Sequence, residues 1–236
     1  MRKFLNNWTL FRKIIKYNMK IIFAGQFIWF LLAAFGFYVF ISLQAIFDNA
    51  SLDEAFIYGI MLFPGILLIF YPTVFGIQKD ADANVLELLF GIPDYRFKVW
   101  LVRLIMIYAI TFLIVLGFTV IGSVGIYPVR ILEMTGQLMF PLLFIGSLGF
   151  MFSTIIKNGN GTAVVMVIIG VFLLILTDMV ERTMWNIFLN PFNLPRDMNE
   201  LIWHNIALKN RIFLVVGSIL FLLFGLFNLQ KREKFI

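Results

Sequence analysis

Few groups in this 236-residue chain could carry out covalent chemistry. There is no cysteine, so thiolate nucleophiles, disulfides and sulfur metal ligands are excluded. His204 is the only imidazole, and it reads as an ordinary surface residue rather than a ligand. No G-x-x-x-x-G-K-[ST] run occurs, so the chain lacks the usual phosphate cradle for ATP. What remains is binding chemistry, concentrated in residues 81–96, ADANVLELLFGIPDYR. Five of the six residues from Val85 to Phe90 are apolar, although the surrounding stretch is polar.

Composition says what surrounds that run. Hydrophobic residues make up 61% of the chain, charged residues only 14%, and there are 29 Phe. A chain this size cannot bury so much apolar surface in its own core, so the bilayer must be its solvent. The predicted class is a polytopic, all-α integral membrane protein of one domain, residues 1–236. Six apolar runs are long enough to cross: about 21–47, 55–75, 99–125, 137–156, 161–177 and 212–228. The fifth is the shortest, and the termini share one side only if it crosses fully. The run at 21–47 is too long, and lacks the cleavage site, expected of a cleaved signal peptide.

Orientation follows the Lys/Arg bias. With six crossings, fourteen Lys and Arg fall on the side holding both termini, the 76–98 loop and the 157–160 turn; five fall on the other. That places both termini and the 76–98 loop in the cytoplasm of a cell (inner or plasma) membrane protein, and residues 178–211 outside. The +6 net charge then reads as membrane topology, and no nucleic-acid partner is implied.

Three elements outside the spans stand out. Phe4, Trp8, Phe11 and Ile15 fall on one helical stripe, with basic residues on the remaining face. The expected element is an interfacial helix over residues 1–18, held by anionic headgroups at about 1 kcal/mol per basic residue. In the cytoplasmic loop, Asp82 fits an N-cap, Ala83–Phe90 a helix, Gly91 a left-handed stop and Pro93 a block to continuation. Val85, Leu88 and Leu89 share one face, Leu86 and Phe90 widen it, and Glu87 is the only charge. A helix of eight residues cannot span and is marginal alone in water, so something covers it. Periodicity leaves open whether the cover is the protein's own span ends or a partner's groove. The external segment 178–211 carries Trp185, Phe188, Phe192 and Trp203 with Pro191 and Pro195, which suits the outer interface.

Within the spans, Pro64, Pro72 and Pro141 predict kinks, serving as hinges or as static bends. Gly117, Gly122, Gly125, Gly146, Gly149, Gly159 and Gly161 predict close helix approach around spans three to five. No Asp, Glu or His lies inside the spans so drawn, and Arg103 lies near a cytoplasmic end. Ion-coupled carriers use intramembrane ionisable groups, and intramembrane enzymes need a nucleophile, a carboxylate pair or metal ligands. The pattern therefore predicts no enzyme, no bound cofactor and no metal, but half of a machine whose energy source is another chain.

Residues 79–103, KDADANVLELLFGIPDYRFKVWLVR, resemble the cytoplasmic loop of ATP-binding-cassette type 2 permeases. The matches are Leu86-Glu87-Leu88-Leu89, Pro93 and Arg96; Asn84-Val85 stand where that family has Gly-Thr. The order of elements is similar too, and Asn190-Pro191-Phe192 looks like the family's external Asn-Pro element. The resemblance implies that residues 82–90 form a coupling helix seated on a separate ATPase subunit. Asp82, Val85, Leu86, Glu87, Leu88, Leu89, Phe90 and Arg96 would make that contact, and Asn190, Pro191 and Phe192 would belong to an external gate. ATP and Mg would be bound by the partner, and a second or sister permease would complete the pathway. Export is the implied direction, and the aromatic, uncharged spans suit an amphipathic or apolar cargo such as a peptide or lipid-like molecule. A non-transporting membrane scaffold and a passive channel are the alternatives.

Overall fold

The computed structural model describes residues 26–47, 52–82 and 95–230. Six long helices account for most of them: α1 Phe27–Phe47, α2 Glu54–Asp82, α3 Val102–Gly125, α4 Ile131–Ile156, α5 Gly159–Thr177 and α6 Glu200–Asn228. A π-helical turn, Arg96–Leu101, leads directly into α3. No strand occurs among the described residues. Each of the six helices is long and apolar enough to cross a membrane, including the fifth, whose apolar run extends to Val180. The interfacial helix expected at 1–18, with Phe4, Trp8, Phe11 and Ile15, lies outside the described residues, as does the helix expected at 83–90.

Local chemistry sets several boundaries. Asp53 starts α2 by accepting from the Phe56 amide at 2.7 Å, and Asn199 starts α6 by accepting from the Leu201 amide at 2.9 Å. Asn158 caps α5 in the same way through Gly161. Between α4 and α5 the chain reverses through Lys157, whose φ of 63° is the left-handed conformation that ends a helix.

Three helices are longer than the apolar runs implied. The second runs on to Asp82 rather than stopping near residue 75, the fourth begins at Ile131 rather than 137, and the sixth begins at Glu200 rather than 212. Apolar run length underestimates a helix whose ends are polar but packed. As a result Asp80, Asp82 and Arg211 belong to long helices, not to loops, and Asp82 is the last residue of α2.

The bundle is built around α2 and α4. In the apolar window of α4, 67% of residues are buried, and in α2 61%, whereas in α5 only 6% are. So α5 is a peripheral helix, with only Gly159, Thr162 and Met166 buried along it. Close crossings explain the tight centre. A Cβ at Gly146 would stand 2.7 Å from Ile69 of α2, and one at Gly225 would stand 2.7 Å from Phe150 of α4. Gly117 and Gly125 have no such neighbour, so the glycine cluster marks a helix contact only in part. Pro64 and Pro72 sit inside α2, where each removes one backbone bond. The Thr73 hydroxyl donates to the Ile69 and Phe70 carbonyls at 2.7 and 3.2 Å, covering backbone acceptors beside Pro72.

Candidate functional site

Consecutive helices alternate in direction, so their ends collect into two groups, and each group buries an arginine. At one end meet the last turn of α2, the π turn and start of α3, the end of α4, the start of α5 and the end of α6. Arg103 Nη1 donates to Asp80 Oδ2 at 2.6 Å, with the two residues 3% and 4% exposed. The Arg103 guanidinium lies over the Trp100 ring, 4.6 Å from its centroid, and Trp100 packs on Phe150 of α4. The Tyr95 hydroxyl donates to the Leu229 carbonyl, and Asn228 donates to the Thr154 carbonyl at 2.7 Å. Gln78 of α2 accepts from the Gly159 amide at the start of α5. Arg103 Nε and Trp100 Nε1 have no hydrogen-bond partner among the described residues, so the pair is strong but incompletely satisfied.

This end brackets the segment that carries the predicted docking residues. Asp80 lies just before it and Arg103 just after, so one buried ion pair joins the two helices between which it is strung. Arg96 opens the π turn, and Asp82 closes α2. Val85, Leu86, Glu87, Leu88, Leu89 and Phe90 lie outside the described residues.

At the opposite end Arg211 of α6 is 6% exposed and bonded from four sides. Its Nε donates to Gln137 Oε1 at 2.8 Å and its Nη1 to Asn210 Oδ1 at 2.8 Å. Its Nη2 reaches the Tyr58 hydroxyl at 3.4 Å and the Leu189 carbonyl at 3.3 Å. Among the described residues no carboxylate pairs with it. Asn210, fully buried, donates to the carbonyls of Met184 and Asn186, both at 2.8 Å. The segment between α5 and α6 is thereby fastened to α2, α4 and α6.

The predicted gate residues fall in this cluster. Asn190 donates to the Ala55 carbonyl at 2.8 Å and accepts from the Phe192 amide at 3.1 Å. Trp203 Nε1 donates to the Pro191 carbonyl at 2.9 Å, and the Phe192 ring lies 5.9 Å from that of Tyr58. His204 is exposed, as expected of a surface residue. Tyr58, Gln137, Asn210 and Arg211 were not singled out by sequence reasoning. The signal existed: Trp203, Ala207, Asn210, Arg211, Leu214 and Ser218 are all buried and follow a helical period straight through the polar stretch.

Asn210→Ala is expected to free the segment between α5 and α6. It strands two buried carbonyls and one arginine contact, at about 1–3 kcal/mol for each unsatisfied group. Limited proteolysis of membranes should then cut within residues 178–199 where the wild type resists, and equal resistance in both would refute the latch.

Between the two polar ends lies an apolar cleft of about 500 Å³, bounded by α1, α2, α4 and α5. Phe30, Phe63, Phe70, Met166, Val171 and Phe188 are among its walls. Walls of this kind can hold hydrocarbon.

Compared with known proteins, the chain matches no family model, no curated protein and no solved structure. The class is therefore defined by the fold and its apolar surface: a multi-pass, all-helical membrane protein.

Proposed function

We propose that this chain is the membrane-spanning permease subunit of an ATP-binding-cassette exporter, driven by ATP hydrolysed in a separate subunit. The observation that carries the reading is the buried Asp80–Arg103 pair. A segment with a leucine-rich face, strung between two helices locked together at its base, can pass a push from outside to α2 and α3 instead of absorbing it. A marginal helix of that length needs its apolar face covered, by the chain's own helix ends or by a partner's groove. The resemblance of residues 79–103 to the type 2 permease loop names that partner as an ATPase. The Lys/Arg bias puts this end, and both termini, in the cytoplasm.

In the working assembly two permease chains, identical or sister, face each other across a pathway, with one ATPase beneath each. The cluster around Asn190, Pro191 and Phe192 is the external gate, held shut by Arg211 and Asn210. Cargo is amphipathic or apolar, in keeping with walls of Phe, Leu and Val. The test is transport in proteoliposomes. Chain and ATPase together should move a lipid-like fluorophore only when ATP is present on the cytoplasmic face. Flux through the chain alone, indifferent to ATP, would identify a passive channel instead.

A further inference from the structure

The apolar cleft does not end blindly. Thr177 and Phe188 belong to its wall and also to the wall of a smaller polar pocket at the Arg211 end of the bundle. The cleft follows α2 from Gly59 to Phe70 and α5 from Met166 to Thr177. Twelve residues of helix in each case, or eleven steps of rise, give a length of about 16 Å. That is close to half of the roughly 30 Å hydrocarbon core, the depth of one leaflet. Among the described residues Thr177 is the only polar side chain along it, and it also lines the second pocket.

The smaller pocket, about 160 Å³, has a definite charge character. Arg182 lines it but is paired with Asp197. Asn186 and Asn190 line it with their side chains committed to Phe188, Phe192 and the Ala55 carbonyl. Glu181 lines it too, and its carboxylate has no partner among the described residues. The ring of Trp203 forms another wall, with its Nε1 already donated to Pro191. An exposed carboxylate lining the same pocket as an aromatic residue suits an ammonium group, above all a quaternary one, which needs no hydrogen-bond acceptor. The neighbouring Arg182 is held by Asp197, which offsets part of its charge at the pocket.

We propose that these two pockets are one site for a single-chain amphiphile drawn from the bilayer, its chain in the cleft and its ammonium head against Glu181 and Trp203. A double-chained lipid would leave its second tail outside, along the exposed face of α5. The site deepens the proposed function by naming the class of cargo, yet binding needs neither nucleotide nor ATPase, so the two can fail separately.

Photolabelling tests it. The probe is lysophosphatidylcholine with a diazirine in its chain, applied to the purified chain in nanodiscs without ATP, with labelled peptides mapped by mass spectrometry. Wild type should be labelled within residues 59–70 and 166–177, and an unlabelled alkylphosphocholine should compete. Gly170 lines the cleft and a Cβ there would meet nothing within 4 Å, so Gly170→Trp sets a bulky ring at the cleft with no clash at its Cβ. Labelling should fall about tenfold or more, as expected when a mostly buried chain loses its pocket. Gly117→Trp, equally open but on α3 and away from the cleft, should label as wild type does. Glu181→Gln should reduce the preference for the choline probe over a diazirine fatty acid by about fivefold.

Three results overturn the proposal: undiminished labelling in Gly170→Trp, labelling spread evenly over every lipid-facing helix, or no preference for the choline head in wild type. Absence of labelling together with efficient disulfide linking of two copies through Val171→Cys would also overturn it, by showing that the cleft is a face between protomers. Failure of ATP-driven efflux with labelling intact would remove the exporter and leave this site in place.

Discussion

Leu88→Asp is expected to abolish recovery of an ATPase with this chain while leaving the amount in the membrane unchanged. The substitution puts a carboxylate on the face that Val85, Leu88 and Leu89 share on a helical register. Burying an unpaired charge in an apolar groove costs at least about 3 kcal/mol, a loss of roughly a hundredfold in affinity. Membrane insertion depends on the six apolar helices, none of which contains position 88. Affinity purification in mild detergent, quantified against the permease band, is the measurement. Glu87→Gln is the companion: it removes a charge without adding one to the apolar face, and should weaken recovery only severalfold. Full recovery with Leu88→Asp would mean that the leucine face is covered by the chain itself, and the partner reading would fall with it.

Asp80→Asn is expected to destabilise the bundle by about 3–5 kcal/mol, because it leaves the Arg103 guanidinium buried without its counter-charge. Both residues are almost fully enclosed, so solvent does little to screen the loss. Arg103→Met alone should cost as much, stranding Asp80 instead. The double variant Asp80→Leu, Arg103→Met removes both charges and should recover most of the stability, since a well-packed apolar pair can match a buried ion pair. Two donors at this site already lack partners, which makes recovery easier. Thermal unfolding of the four proteins in one detergent gives the cycle. Two destabilised singles with an equally destabilised double would show that the residues act by packing, not by charge.

The double variant also separates stability from coupling. If the pair links the two helices flanking the loop, the restored fold should still bind ATPase through Leu88 but show weaker coupling of hydrolysis to efflux. The reason is that two apolar side chains slide past each other where an ion pair at 2.6 Å does not.

Why sequence reading found the spans but missed the two arginines is a matter of what each depends on. A crossing helix is specified locally: about 20 apolar residues in a row leave no other stable arrangement in a bilayer. The segments around Ile21–Phe47, Val99–Gly125 and Gly161–Thr177 therefore locate α1, α3 and α5 within a few residues. The ends of α2 and α6 were misplaced because Gln78, Lys79 and Asp80, or Asn210 and Arg211, look like loop to a hydropathy window. They are helical because partners distant in sequence satisfy them. Asp80 is 23 residues from Arg103, and Arg211 is 74 from Gln137. The same applies to Asn190: its Asn-Pro context is visible locally, but its bond to Ala55, 135 residues away, is not.

The sequence by itself determined the solvent, the number of crossings and the presence of an oily run in a polar loop, because each follows from residue type and local spacing. Only the tertiary structure decided that Asp80 and Arg211, read as loop residues, are helical and that they and Arg103 are buried at the two ends of the bundle. It alone opened a leaflet-deep cleft onto a polar pocket beside Glu181. Both arise where helices far apart in the chain meet, and the free energy of such a meeting depends on pairs of residues that no local pattern joins.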